Sequence, residues 1–210
     1  MYHWEGFYLG PNLGVAFISG SATDQLSGIN TANSIYGVQG GATFGYNWQF
    51  TPNLVVGTEA TFDGVFNGKA DLISIQGRLP GTTISGRIQG SSNTDWISTV
   101  ALRVGYAQNI AQNDWLFYGK VGGGWMNNKA SFSIEGERGY FGQVGLSHIS
   151  GGWLVGGGIE YGVTRYWTVK VELDYLGMFQ WTAPVPLALG GSITVDRQLP
   201  MLVIGGNYKF

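Results

Sequence analysis

From Trp167 to Phe179 the chain reads WTVKVELDYLGMF, and it separates into two rows. Every second residue from Trp167 gives Trp, Val, Val, Leu, Tyr, Gly and Phe; between them lie Thr168, Lys170, Glu172, Asp174, Leu176 and Met178. A period of two marks a β-strand, because successive side chains leave opposite faces of the pleat. The same alternation recurs over 6–17, 35–50, 54–66, 95–109, 115–128, 152–163, 167–180 and 197–210. Three gaps between these segments are short: Thr51-Pro52-Asn53, Ile110 to Asp114, and Thr164-Arg165-Tyr166. Four are long: 18–34, 67–94, 129–151 and 181–196. Short and long alternate strictly. That order predicts eight antiparallel strands running up and down, with tight turns at one end and four long loops at the other. Within 67–94, the stretch IQGRLPGTTISGR predicts a further hairpin turning at Pro80-Gly81. No linker or shift in composition divides the chain, so residues 1–210 read as one all-β domain.

The parity of each strand sorts its side chains. Tyr36, Val38, Phe44, Tyr46 and Trp48 oppose Gln39, Thr43 and Asn47; Leu54, Val56 and Phe62 oppose Glu59 and Asp63. Val100, Leu102 and Val104 oppose Thr99 and Arg103, Phe117 and Val121 oppose Lys120, and Val155 and Ile159 oppose Glu160. Ile204, Tyr208 and Phe210 oppose Lys209. The strand charges thus share one face: Glu59, Asp63, Arg103, Lys120, Glu160, Lys170, Glu172, Asp174 and Lys209. A soluble barrel would turn this face to water. A membrane barrel would turn it to the lumen.

The tryptophans decide. Trp48, Trp115 and Trp167 border the short turns, while Trp96, Trp125, Trp153 and Trp181 border the long gaps. Trp115 and Trp125 share a face. At ~3.3 Å per residue and a tilt near ~40° they stand about 25 Å apart along the barrel axis, the height of an outer-membrane apolar band. Aromatic girdles at both interfaces suit lipid headgroups; a soluble core gives no reason to confine tryptophan to strand ends. The expected fold is therefore an eight-stranded antiparallel up-and-down transmembrane β-barrel with short periplasmic turns, four long extracellular loops and periplasmic termini. The charges then face a lumen that eight strands leave just wide enough for side chains to fill, and they must pair there. Small positions such as Gly45, Gly122 and Gly156 leave room for them. A one-residue register slip would turn Lys170, Glu172 and Asp174 into lipid, at up to ~2–4 kcal/mol for a midplane Lys and less for each acid.

Composition agrees. Charged residues make up 11% of the chain, far below the usual ~25%; 36 glycines and abundant Trp, Tyr and Phe replace them. A net charge of −2 gives no electrostatic basis for nucleic-acid binding. The chain has no cysteine, which removes thiolate chemistry, and only His3 and His148 offer imidazole. The uncharged windows Gly139–Ile159 and Tyr175–Val195 carry turn residues and strand alternation instead of an apolar helix. MYHWEGF lacks a basic segment followed by an apolar run and reads as a mature start with an added Met, the signal peptide left out.

The stretches WEGFYLGPNLGVAF, GVQGGATFGYNWQF, STVALRVGYA, NDWLFYGKVGGGW, GGWLVGGGIEYGVTRYWTVKVELDYLG and IGGNYKF touch every segment but 54–66. On them the chain resembles the small outer-membrane β-barrel proteins of alphaproteobacteria, the surface-antigen or porin-opacity type, of OmpA-like architecture and including haemin-binding members. The resemblance implies an outer-membrane location and a structural or host-facing role. It implies contact with outer-membrane lipid and lipopolysaccharide, and, through Tyr208 and Phe210, a C-terminal signal read by the barrel-assembly machinery. The family often shows T-V-R-x-R-x-G-Y; here Ala101 takes the place of the first Arg, which implies a rearranged lumen network.

Little else in the sequence suggests chemistry. His148-Ile149-Ser150 with Glu160 has the residue types of the barrel lipid A deacylases, but parity places Glu160 in the lumen and His148 in a loop, so no triad and no enzyme is expected. His148 and Tyr140, with Phe141 and Leu146, are the candidate residues for haemin. The Gly runs at 122–124 and 156–158 lack the Lys-Ser/Thr of a phosphate loop. No metal site is expected. The leading functional reading is a structural surface barrel with an ion-paired, largely plugged lumen. The alternatives are a narrow pore for small solutes or ions, and loops that bind haemin or a host surface.

Overall fold

The computed structural model describes residues 2–24, 30–66, 69–78, 85–136, 139–179, 181–184 and 192–210. Its strands are β1 (Gly6–Asp24), β2 (Asn30–Gln49), β3 (Leu54–Phe66), β4 (Lys69–Arg78), β5 (Ser85–Ile110), β6 (Asn113–Gly136), β7 (Gly139–Gly162), β8 (Trp167–Met178), β9 (Trp181–Pro184) and β10 (Ser192–Lys209). Every pairing is antiparallel. Eight staves close into a barrel in the order β1-β2-β3-β5-β6-β7-β8-β10, and β10 returns to β1 with Tyr8 opposite Lys209 and Val15 opposite Leu202. The two remaining strands prolong staves. β4 continues β3 along β5, Gly64 facing Trp96 and Lys69 facing Asn93. β9 continues β8 along β10.

The eight predicted strands are all present, but the long gaps are not loops over their described lengths. Of 18–34, β1 runs to Asp24 and β2 begins at Asn30. The region 67–94 is mostly β4 and the start of β5, the expected hairpin, with its turn at Pro80-Gly81 outside the described residues. β6 runs to Gly136 and β7 starts at Gly139, and β9 pairs with the start of β10. The reason is physical. Past the apolar band both faces of a ribbon meet water, so the two-residue apolar alternation fades while the backbone ladder goes on. β5, at 26 residues, is about 65 Å tall at ~3.3 Å per residue and ~40° tilt, well above the ~25 Å band.

The short turns fall in the three short gaps. Ala111 and Gln112 join β5 to β6 with φ of 50° and 66°, the two left-handed positions of a two-residue hairpin turn that usually falls to Asn-Gly. The barrel is inverted relative to a soluble protein: Leu173 is 67% exposed and its neighbour Glu172 1%. Along β8, from Trp167 to Asp174, exposed and buried residues alternate without a break.

Candidate functional site: the lumen

The lumen is layered. Its middle is charged, and both ends are apolar. Glu59, Asp63, Arg103, Lys120, Glu160, Lys170, Glu172 and Asp174, all assigned inward by parity, are buried. Seven salt bridges connect seven of them. Glu59 is the hub, meeting Arg103 at 3.2 Å, Lys120 at 3.2 Å and Lys170 at 2.9 Å. Arg103 also reaches Glu160 at 2.7 Å. Lys120 reaches Glu172 at 3.3 Å and Asp174 at 2.8 Å, and Lys170 reaches Glu172 at 3.1 Å. These contacts tie β3, β5, β6, β7 and β8 across the barrel's interior. Hydroxyls and amides complete them: the Tyr118 hydroxyl donates to Glu172 at 2.6 Å, and Thr168 and Asn207 donate to Glu160 at 2.5 and 2.9 Å. The Arg103 guanidinium lies 3.9 Å from the Tyr118 ring centroid and 5.5 Å from that of Tyr8, which suits a desolvated cation. Glycines make the space, as expected. A Cβ on Gly156 would stand 2.0 Å from Asp174 Oδ1, and one on Gly45 2.3 Å from the Tyr8 ring.

Lys209 is the exception among the predicted lumen charges. It is partly exposed at the short-turn rim, where its Nζ donates to the His3 carbonyl and sits 4.7 Å from the Tyr2 ring centroid. The strand reaches the barrel end there, so inward parity leads to the mouth and not to the interior.

Parity reasoning missed the two apolar ends. Toward the long hairpins the lumen is filled by a cluster that includes Ile97, Met126, Leu154, Leu176, Leu199 and Met201. The signal was present: Leu176 and Met178 share the row of Lys170, Glu172 and Asp174. Toward the short turns, the segment before β1 enters the mouth. Trp4 is buried against Val55, Ala107, Leu116 and Tyr118, with Tyr2 packed beside it. The Tyr2 amide donates to Asp114 Oδ2 at 2.7 Å and the Trp4 amide to Gln49 Oε1 at 2.8 Å. No periodicity in so short a segment could have shown this.

The outer wall carries aromatic clusters at both levels. At the short-turn end Tyr46 meets Trp48 at 4.7 Å, Trp115 meets Tyr161 at 4.8 Å and Trp167 meets Tyr208 at 5.2 Å. Tyr208 meets Phe210 at 5.3 Å. At the other level Phe62 meets Trp96 at 5.6 Å, Trp153 meets Tyr175 at 5.3 Å, and Trp125 is exposed. The backbone of Trp181 pairs with Val195 in the hairpin extension. An outward groove of about 230 Å³ lies around Pro200, walled by Phe17, Leu173, Tyr175 and Leu202.

The catalytic candidates are not assembled. His148 faces Asn128 across the ladder high on β7, whereas Glu160 lies in the lumen with its oxygens taken by Arg103, Thr168 and Asn207. Twelve residues of strand separate them by about 40 Å at ~3.3 Å each. Tyr140 and His148, the haemin candidates, lie on the same strand, about 26 Å apart along it by the same spacing. Among the described residues no group of three or more His, Cys, Asp or Glu could hold a metal ion.

Comparison with known proteins agrees with the barrel. The family model for the outer membrane protein beta-barrel domain matches residues 2–198. The 31 kDa outer-membrane immunogenic protein of Brucella melitensis is 28% identical over 183 residues, covering 83% of this chain and 71% of that protein. The 22 kDa outer membrane protein of Rhizobium leguminosarum bv. viciae is 30% identical over 172 residues, covering 82% of this chain and 63% of that protein. The crystal structure of OprG from Pseudomonas aeruginosa shares the fold, with a TM-score of 0.54 and 19% identity over 100% of this chain and 98% of that one. With its closed antiparallel barrel, outward apolar wall and inward charges, the chain belongs to the outer membrane protein beta-barrel domain family and is a protein of the bacterial outer membrane.

Proposed function

We propose that this protein is a structural surface barrel of the outer membrane whose lumen does not conduct. One observation carries this reading: the charged layer is followed, toward the long hairpins, by a cluster of apolar side chains that includes Ile97, Met126, Leu154, Leu176 and Leu199, each at most 1% exposed. The polar groups beside it, Asp63 paired with Ile97 and Gln39 with Val65, are themselves buried, and an eight-stranded interior is just wide enough for side chains to fill. The short turns and both termini then face the periplasm, and the long hairpins form a stiff exposed surface. Lipid and lipopolysaccharide contact the aromatic wall, and Tyr208 and Phe210 supply the signal for barrel assembly.

Planar-bilayer recording tests this. The purified protein should give no steady unit conductance. A reproducible conductance that changes in Lys170→Ala or Glu172→Ala would defeat the closed lumen and establish a narrow pore.

A further inference from the structure

Beneath Tyr2 and Trp4 lies a cavity of about 10 Å³, lined also by Tyr8, Asn47, Glu160, Thr168 and Asn207. We propose that it is a binding site for one water molecule, which ties the Tyr2–Trp4 segment to the lumen network. By this measure a single water needs about 10–15 Å³. Three buried atoms of the lining residues have no hydrogen-bond partner: Tyr2 Oη, Asn47 Oδ1 and Asn207 Oδ1.

Both amide orientations are fixed by their other ends. Asn207 Nδ2 donates to Glu160 Oε1 at 2.9 Å, and Asn47 Nδ2 donates to the Trp4 carbonyl at 3.4 Å. Reversing either amide would set oxygen against oxygen, so Oδ1 is the free atom in each. One donor and two acceptors then remain. A water molecule fits that set: it accepts from the Tyr2 hydroxyl and donates to the two asparagine oxygens. Burial, followed by the Glu160 charge, pushes the Tyr2 phenol above its usual value, so it keeps its proton. A metal cation fits less well. The Glu160 oxygens are already engaged by Arg103, Thr168 and Asn207, and Lys209 stands over the Tyr2 ring. The bound water would extend the polar chain Arg103–Glu160–Asn207 to a residue outside the barrel staves. The mouth would then be latched by hydrogen bonds as well as by Trp4 packing.

Two experiments on the full chain in detergent decide. A crystal structure that resolves ordered solvent should show one peak about 2.7–3.2 Å from all three atoms. An empty cavity, or a peak at about 2.0–2.6 Å from several oxygens as for a bound divalent cation, would overturn the proposal. Amide hydrogen exchange in Tyr2→Phe gives the second readout, because the ring that packs 4.6 Å from Trp4 is kept and only the hydroxyl is lost. Exchange at the Trp4 amide should rise about tenfold, the equivalent of one hydrogen bond, with the barrel staves unchanged. Unaltered exchange at Trp4 would refute the latch.

Discussion

Replacing Glu59 by Gln removes one charge from the most connected point in the lumen. Glu59 is 2% exposed and lies within 3.2 Å of three buried cations, Arg103, Lys120 and Lys170. Gln keeps the length but turns an amide donor toward groups that only donate. Breaking one buried ion pair costs about 3–5 kcal/mol when the partner is left uncompensated. Here each cation retains a second carboxylate: Glu160 for Arg103, Glu172 and Asp174 for Lys120, Glu172 for Lys170. Three weakened pairs in place of one abandoned pair lead to about 3–5 kcal/mol in total. In reversible urea unfolding from lipid vesicles, at ~2 kcal/mol per M of urea, the midpoint should fall by about 2 M. The double variant Glu59→Gln/Lys170→Gln should lose less than the sum of the single variants, by about 1–3 kcal/mol, since it removes both members of one pair. A loss below about 1 kcal/mol with no coupling would refute the reasoning. The charges would then behave as screened surface pairs, which requires a wet lumen, and the closed-barrel reading would fall with them.

Two further outcomes follow from local geometry. Ala111 and Gln112 hold positive φ without being Gly or Asn, so Ala111→Asn with Gln112→Gly should raise stability by about 1–2 kcal/mol, read as a higher urea midpoint. Leu154→Ala, at a side chain with no exposed area in the apolar layer, should cost about 2–5 kcal/mol in the same assay; a change under 1 kcal/mol would mean that this end of the lumen is loosely filled.

The wall was legible in the sequence because lipid and lumen impose opposite demands on alternate residues. Lys170, Glu172 and Asp174 could face only one way once the tryptophans had shown where the lipid lies. The hairpin extensions were not legible. Ser133, Gln143 and Ser147 lie in long strands, yet nothing in a ribbon wet on both sides forces alternation. Lys209 obeyed parity and still missed the network, because parity gives direction and not depth. The partners of Glu59 could not be read from spacing either. They come from β5, β6 and β8, and only barrel closure sets which cations meet it. Trp4 left no trace at all: a lone tryptophan before a strand looks like one more interfacial residue, and its burial depends on a mouth built from distant turns.

The junction of β1 with β10 has a consequence for the life of the chain before it is a barrel. Tyr8 cannot meet Lys209 until every stave between them exists, so the seam that seals the wall joins the first and last staves and is the costliest in loop entropy. Until it forms, the first and last staves are open edges with unsatisfied backbone groups, apolar on the side that later meets lipid. A molecule shortened by even one terminal stave would keep two such edges permanently. Truncation therefore gives an aggregating sheet and not a smaller barrel, and folding is all-or-none at the level of the whole circumference.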